Sequence, residues 1–232
     1  MKSASPTPRV ARIAWRPSYR IVSSRFPPVG VFDAIAEPAD IDAICELEGL
    51  TNPRLRLELG QIALVPEGRR ISGPGTTPIM ATFAHPNPEG TRFADGSQGV
   101  YYAARSRDTA VAETVHHRQL FLARTAEPPT TLEMRCYLAN IGGRFHDLRG
   151  GWPAMHDPDS YAASQALGRR LRDAGSNGVV YDSVRRRGGQ CVAVFYPDLV
   201  APVVQGPHLF YSWNGERITH AIVADEVLQF DA

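Results

Sequence analysis

The stretch that decides the fold is residues 90–113, GTRFADGSQGVYYAARSRDTAVAE. Its first part surrounds Arg92 with glycines, which let a backbone turn and pass close to a ligand. The segment GVYYAA then predicts a strand over residues 99–104. Because strand side chains alternate between faces, Tyr101 and Tyr102 point in opposite directions, and one of them belongs to the core.

The helix that follows carries one glutamate, Glu113. Ser106 or Asp108 is a suitable N-cap, and apolar residues at helical spacing continue to about residue 123. A carboxylate in the first turns of a helix is favoured by the helix dipole. Taken alone, Glu113 is therefore either a stabilising charge or a functional group.

Residues 90–113 thus predict a turn–strand–helix unit. The rest of the 232-residue sequence predicts one strand-rich α+β domain, without repeats. An extended segment is expected at 12–22, and helices are expected at 38–50 and 157–174, the second stopping before Gly175. Strands are expected at 55–59, 79–84, 131–139, 178–184 and 190–196, with hairpins at RRRGG (185–189) and at Asn214-Gly215.

Composition excludes several classes of partner. The formal net charge of +1 produces no global field that attracts nucleic acid or membranes. No apolar run approaches the roughly 20 residues that span a bilayer, and the N-terminus lacks the apolar core of a secretory signal. Cys45, Cys136 and Cys191 are far apart and have no zinc-ligand spacing, which favours reduced thiols in the cytoplasm.

Two polar residues outside the unit complete a set suited to nucleotide chemistry: Arg20 in YRI and Ser183 in VVYDSVR. A guanidinium at Arg20 or Arg92 can hold a phosphate by paired hydrogen bonds. The Glu113 carboxylate can face a developing cation, and the Ser183 hydroxyl can orient a ribose. The structural alternatives are a surface turn arginine for Arg92 and a satisfied strand-edge hydroxyl for Ser183.

Metal and triad chemistry receive little support from the sequence. Glu113 is followed by His116 and His117, but the HExxH spacing of zinc proteases is absent, so no metal site is predicted. Ser183 is not in a GxSxG elbow, and no nucleophile motif accompanies His146. His116 and His117 are expected on the helix surface or in contact with a protein partner.

Several segments, in this order, resemble the RES-domain family of bacterial toxin–antitoxin toxins, which is named for its Arg, Glu and Ser. They are YRI at 19–21, GTRFADGSQGVYYAA at 90–104, TAVAE at 109–113, SNGVVYDSVR at 176–185 and AVF at 193–195. The resemblance covers about residues 19–195. The chain departs from compact members in the long link after Arg20, a family-variable insertion at about 33–75 within a single RES domain of residues 1–232.

The resemblance implies a fold like that of the diphtheria-type ADP-ribosyltransferases, with split, mostly antiparallel sheets around a cleft that binds NAD. NAD would be a substrate, with no cofactor. By the same resemblance, Arg20 and Arg92 bind its diphosphate and Tyr102 packs on the nicotinamide ring. Glu113 stabilises the oxocarbenium-like transition state, and Ser183 orients the ribose or the amide.

The resemblance also implies partners and activities. The expected protein partner is an Xre-like antitoxin that plugs the cleft. The expected reaction is cleavage of the nicotinamide–ribose bond of NAD, by hydrolysis or phosphorolysis. One alternative is mono-ADP-ribosylation of a specific essential host protein, which would be a further partner. A second alternative is a non-catalytic nucleotide-binding module.

Overall fold

The computed structural model describes residues 6–24, 30, 32–35, 37–41, 43 and 60–224. The strands are β1 (Val10–Ser23), β2 (Tyr101–Ala104), β3 (Thr130–Asp147), β4 (Gly178–Asp182), β5 (Gln190–Val194), β6 (Val204–Trp213) and β7 (Ile218–Ala224). Three α-helices have all of their residues described: α1 (Thr77–Ala84), α2 (Arg107–Arg124) and α3 (Ala162–Asp173).

The seven strands form one sheet in the order β1-β2-β5-β4-β3-β6-β7. All pairings are antiparallel except that of β3 with β4, so the predicted α+β class with mostly antiparallel strands is confirmed. Among the described residues, the strands pair into one continuous sheet and not into the expected split sheets. The reason is the length of β3, which pairs with β4, β6 and also β1.

Side-chain alternation places hydrophobic cores on the two faces of the central strands. The first core includes Tyr101 on β2, Val180 on β4 and Val192 on β5. The second core includes Tyr181 and Cys191, their direct neighbours along the chain. A strand buried on both faces needs a continuous apolar sequence. VVY in β4 and CVAVF at β5 are such sequences, and these strands lie in the middle of the sheet.

The register of β1 shifts between Trp15 and Ser18, where it pairs with β3. Ile13 and Trp15 lie in the first core before this irregularity. Beyond it, Arg20 stands opposite Tyr137, which also belongs to the first core. The irregularity therefore helps to decide the face on which Arg20 lies.

Two predicted elements are wrong or misplaced. Residues 79–84 are helical, in α1, because Pro78 occupies a first-turn position and Ile79, Met80 and Phe83 pack inward from one side. A short apolar run does not distinguish a strand from a helix by periodicity. The helix expected at 157–174 begins only at Ala162 (α3).

The other predictions in the described part hold with changed bounds. The segments at 99–104, 178–184 and 190–196 are strands β2, β4 and β5, and the last two pair as the predicted hairpin. The strand expected at 131–139 extends from Thr130 to Asp147 as β3. The helix expected after Ser106 is α2, and the terminal hairpin joins β6 to β7 around Asn214-Gly215.

The described parts of the 33–75 region pack against the rest of the domain. Ile35, Ile41 and Val65 are buried in the first core. Asp33 caps α1, since its carboxylate accepts from the Thr77 N–H at 2.7 Å and its own N–H donates to the Thr77 hydroxyl at 3.0 Å. The strand expected at 55–59 and most of the helix expected at 38–50 lie outside the described residues. No described helix is long and apolar enough to cross a membrane.

Candidate functional site

Helix α2 and the end of β4 bring Glu113 and Ser183 together. Ser106 caps α2, accepting a hydrogen bond from the Thr109 N–H at 3.3 Å. The Ser183 hydroxyl donates to Glu113 Oε1 at 2.6 Å. The same hydroxyl accepts the N–H groups of Arg185 and Arg186 at 3.2 and 3.0 Å. Because the hydroxyl donates its hydrogen bond to Glu113 and its lone pairs accept two backbone N–H groups, Ser183 holds the carboxylate in position.

Cys191 lies beside the same carboxylate, a contact that the sequence analysis did not foresee. Its Sγ is 3.8 Å from Glu113 Oε1, and its strand partner is Tyr181. Burial, followed by the charge of Glu113, raises the pKa of the Cys191 thiol well above its usual value. A thiol that stays protonated can donate to the carboxylate but cannot act as a thiolate nucleophile. Across the described residues, both contacts to Glu113 are made at Oε1.

Tyr102 is the tyrosine of the pair that faces the second core, and Tyr101 is fully buried in the first. The Tyr102 hydroxyl accepts from the Phe93 N–H at 2.9 Å and lies 2.9 Å from the Thr91 hydroxyl. Burial raises the pKa of Tyr102 to about 12, so this hydroxyl is neutral at physiological pH. Tyr102 thus fixes the turn that carries Arg92 against β2.

Arg92 is only 6% exposed, so the surface-arginine alternative is wrong. Its Nη1 donates to the carbonyl oxygens of Met155 and Asp157 at 3.1 and 2.9 Å. The guanidinium also lies over the ring of Tyr161, 4.6 Å from the centroid. The flanking Gly90 and Gly96 have φ of 76° and 96°, the conformational freedom that the sequence required of this turn.

Arg185 is a second arginine at the site that the sequence analysis passed over. It is half-buried, and its Nη2 donates to the carbonyl oxygen of Pro158 at 2.6 Å. Its charge is felt by His116, whose pKa is lowered by burial and then by Arg185. The RRR run was visible in the sequence, but nothing in it distinguished this arginine from its two neighbours.

Arg20 lies on the other face of the sheet. Its Nη1 donates to the Tyr102 carbonyl oxygen at 2.9 Å, and its Nη2 donates to the Thr82 hydroxyl at 3.3 Å. Its guanidinium covers the ring of Tyr101 at 4.7 Å, and burial lowers its pKa. These contacts are those of a satisfied core arginine.

The structure therefore brings four of the five predicted residues to one face. Tyr181 connects them: its ring packs edge-on against Phe93 at 5.0 Å. Burial raises the pKa of Tyr181, the charge of Glu113 raises it further, and the charge of Arg92 lowers it. Arg92, Tyr102, Glu113 and Ser183 surround the second core, and Arg20 joins the first.

The three histidines considered from the sequence, and Asp147 next to one of them, have structural partners. His146 Nδ1 lies 2.8 Å from the Ser176 hydroxyl, and Asp147 accepts from Arg149 at 2.9 Å. His116 and His117 contact each other edge to face, with centroids 5.4 Å apart. Among the residues that the structure describes, no three metal-ligating side chains gather as a possible metal site.

Comparison with known proteins places the chain in a family. A sequence model of the RES domain matches residues 68–214, a span that contains Arg92, Tyr102, Glu113 and Ser183. A protein of Sinorhizobium fredii (strain NBRC 101917 / NGR234), the uncharacterized protein y4oC, is 36% identical over 216 residues, covering 90% of this chain and 87% of its own.

A chain of the M. tuberculosis MbcT–MbcA toxin–antitoxin crystal structure aligns over 92% of this chain and 86% of its own length. The TM-score is 0.45 and the identity 14%, a likeness that by itself establishes neither fold nor function. The family match spans more than half of the sequence. The protein therefore belongs to the RES-domain family.

Proposed function

We propose that this protein is the toxin of a bacterial toxin–antitoxin system and that it cleaves the nicotinamide–ribose bond of NAD. The observation that carries the proposal is the Glu113 carboxylate held at one oxygen by Ser183, at 2.6 Å. Two positively charged arginines, Arg92 and Arg185, lie at the same site. An anchored anion next to cations suits a substrate that joins a diphosphate to a cationic nicotinamide ribosyl group.

Glu113 would act electrostatically. When the glycosidic bond breaks, its electron pair moves to the ring nitrogen, which neutralises the nicotinamide and leaves positive charge on the ribose. A carboxylate already fixed in place stabilises that charge without reorganising. Since Ser183 and Cys191 both contact Oε1, the second oxygen, Oε2, is the one that would face the ribose.

The other residues would bind and orient NAD. Arg92 has five N–H donors, and its two hydrogen bonds to described residues both use Nη1, so other donors would serve phosphate oxygens. The Tyr102 hydroxyl is held by the Arg92 turn, so its ring would pack on nicotinamide in a fixed orientation. Ser183 would act by positioning Glu113. An acceptor, either water or phosphate, then attacks the ribose carbon and loses a proton.

The reaction products identify the acceptor that attacks the ribose. Purified protein is incubated with NAD, with and without phosphate, and with cell lysate. Free ADP-ribose indicates hydrolysis and ADP-ribose-1″-phosphate indicates phosphorolysis. A labelled protein band indicates ADP-ribosylation of a host protein, and NAD that stays intact in all three mixtures leaves a non-catalytic module.

The toxin role is tested in cells. Expression of the chain should deplete NAD and arrest growth, and co-expression with the neighbouring open reading frame should relieve both effects. Glu113→Gln provides the matched inactive control at the same expression level. Normal growth with intact NAD on expression of the wild-type chain would contradict the proposal.

A further inference from the structure

Two arginines reach one loop from distant parts of the chain. Arg92, in the turn before β2, donates to the carbonyl oxygens of Met155 and Asp157 at 3.1 and 2.9 Å. Arg185, just after β4, donates to the carbonyl oxygen of Pro158 at 2.6 Å. The two guanidinium groups therefore converge on residues 155–158, which orient them through neutral acceptors.

Within the described residues, neither arginine forms an ion pair with a carboxylate. The nearby Asp157 carboxylate accepts the N–H groups of Asp159 and Ser160 at 2.8 and 3.0 Å, and these bonds, followed by the charge of Arg92, lower its pKa. Two guanidinium groups whose hydrogen bonds go to neutral carbonyl oxygens of one loop repel each other, and an anion bound between them would offset that repulsion.

The pair lies on the Glu113 side of the sheet. The Arg185 N–H donates to the Ser183 hydroxyl, which in turn donates to Glu113. His116, one turn after Glu113 on α2, has its pKa lowered by burial and then by Arg185, with a smaller contribution from Arg92. The charges of both arginines therefore reach the same part of α2, around His116.

We propose that Arg185 acts with Arg92 to bind the diphosphate of a dinucleotide substrate. Arg185 would take the binding role that the sequence resemblance gives to Arg20. This inference rests on the proposed function and adds a binding residue to it. A diphosphate carries charge on both phosphates, and guanidinium groups bind phosphate oxygens by paired N–H donors. Arg20 lies on the opposite face and already contacts a carbonyl oxygen and a hydroxyl.

Calorimetry with two probes tests the assignment. ADP-ribose carries the diphosphate, and adenosine lacks it. Loss of one hydrogen bond to a charged group corresponds to roughly 10- to 100-fold in affinity. We expect Arg185→Met to weaken ADP-ribose binding by that factor and Arg185→Lys to weaken it less. Both variants should bind adenosine with wild-type affinity. Arg187→Met is the matched control, because Arg187 is exposed two positions further along.

Each outcome decides a specific point. Wild-type affinity of Arg185→Met for ADP-ribose would overturn the inference, and so would an equal loss of adenosine binding, which would mark a structural role. If the wild-type protein cleaves NAD and Arg185→Met has an unchanged KM, only the assignment of Arg185 fails. If the wild-type protein neither binds ADP-ribose nor cleaves NAD, the proposed function fails and the inference fails with it.

Discussion

The Ser183 hydroxyl donates a 2.6 Å hydrogen bond to the Glu113 carboxylate, across 70 positions of the chain. The contact joins the end of β4 to α2, and two backbone N–H groups hold the serine in place. The carboxylate is therefore oriented before any ligand arrives, which is the condition for electrostatic stabilisation of a transition state.

Glu113→Gln is expected to lower kcat for NAD cleavage by about 10²–10³, because it keeps the shape of the side chain and removes its charge. Ser183→Ala is expected to cost less, and the double variant no more than Glu113→Gln alone, since the two residues act as one unit. Single-turnover kinetics on all three variants measures this coupling. Glu89→Gln, exposed at the surface, is the control. Additive losses would show that Ser183 acts independently of Glu113.

Arg92→Lys is expected to raise the KM for NAD and to lower the melting temperature. A lysine has no planar guanidinium to cover the Tyr161 ring, and it cannot offer paired N–H donors to a diphosphate while it contacts the two carbonyl oxygens. Steady-state kinetics and thermal melts measure the two effects. The control is Arg124→Lys, whose parent side chain is 68% exposed. Wild-type kinetics in Arg92→Lys would assign Arg92 a role in folding alone.

Arg20→Met is expected to reduce the free energy of unfolding by about 1–3 kcal/mol, because the Tyr102 carbonyl oxygen loses its charged donor. ADP-ribose affinity of the folded variant should stay unchanged. Urea unfolding and calorimetry test this pair of results, with Arg16→Met on the exposed side of β1 as control. A stable Arg20→Met protein that has lost ADP-ribose binding would support the diphosphate role that the sequence predicted.

Tyr101→Phe is expected to leave stability unchanged or to raise it by up to about 1 kcal/mol. The Tyr101 hydroxyl is buried with no hydrogen-bond partner in the described structure, and phenylalanine keeps the ring beneath Arg20. Tyr102→Phe is the matched contrast, because that hydroxyl accepts from Phe93 N–H and contacts Thr91. The comparison uses urea unfolding. A clear loss of stability in Tyr101→Phe would show that its hydroxyl has a partner in solution.

Stability should fall at alkaline pH. Burial raises the pKa of Tyr101, Tyr102 and Tyr211 to about 12, whereas an unfolded tyrosine ionises near pH 10. Because the folded values are raised, the stabilisation is complete below about pH 10 and is lost as pH rises from about 10 toward 12. Urea unfolding from pH 8 to 11.5, with tyrosinate absorbance, measures this. A flat profile would mean that these rings ionise as freely in the folded protein.

Local order was predictable from the sequence. The unit at 90–113 appears as a turn, a strand and a capped helix, because glycines, alternation and an N-cap act over a few neighbouring residues. The hairpins were predictable for the same reason. The apolar segment at 79–84 was not, since a run of that length is compatible with both a strand and a helix.

By itself, then, the sequence determined the family, the α+β class and the candidates Arg92, Tyr102, Glu113 and Ser183. Only the tertiary structure decided that Arg20 faces the other core, because a shift of register in β1 and pairing with β3 set its direction. It also decided that Cys191 and Arg185 join the site. Cys191 meets Glu113 across 78 positions and Arg185 meets Pro158 across 27, and no local pattern encodes such contacts.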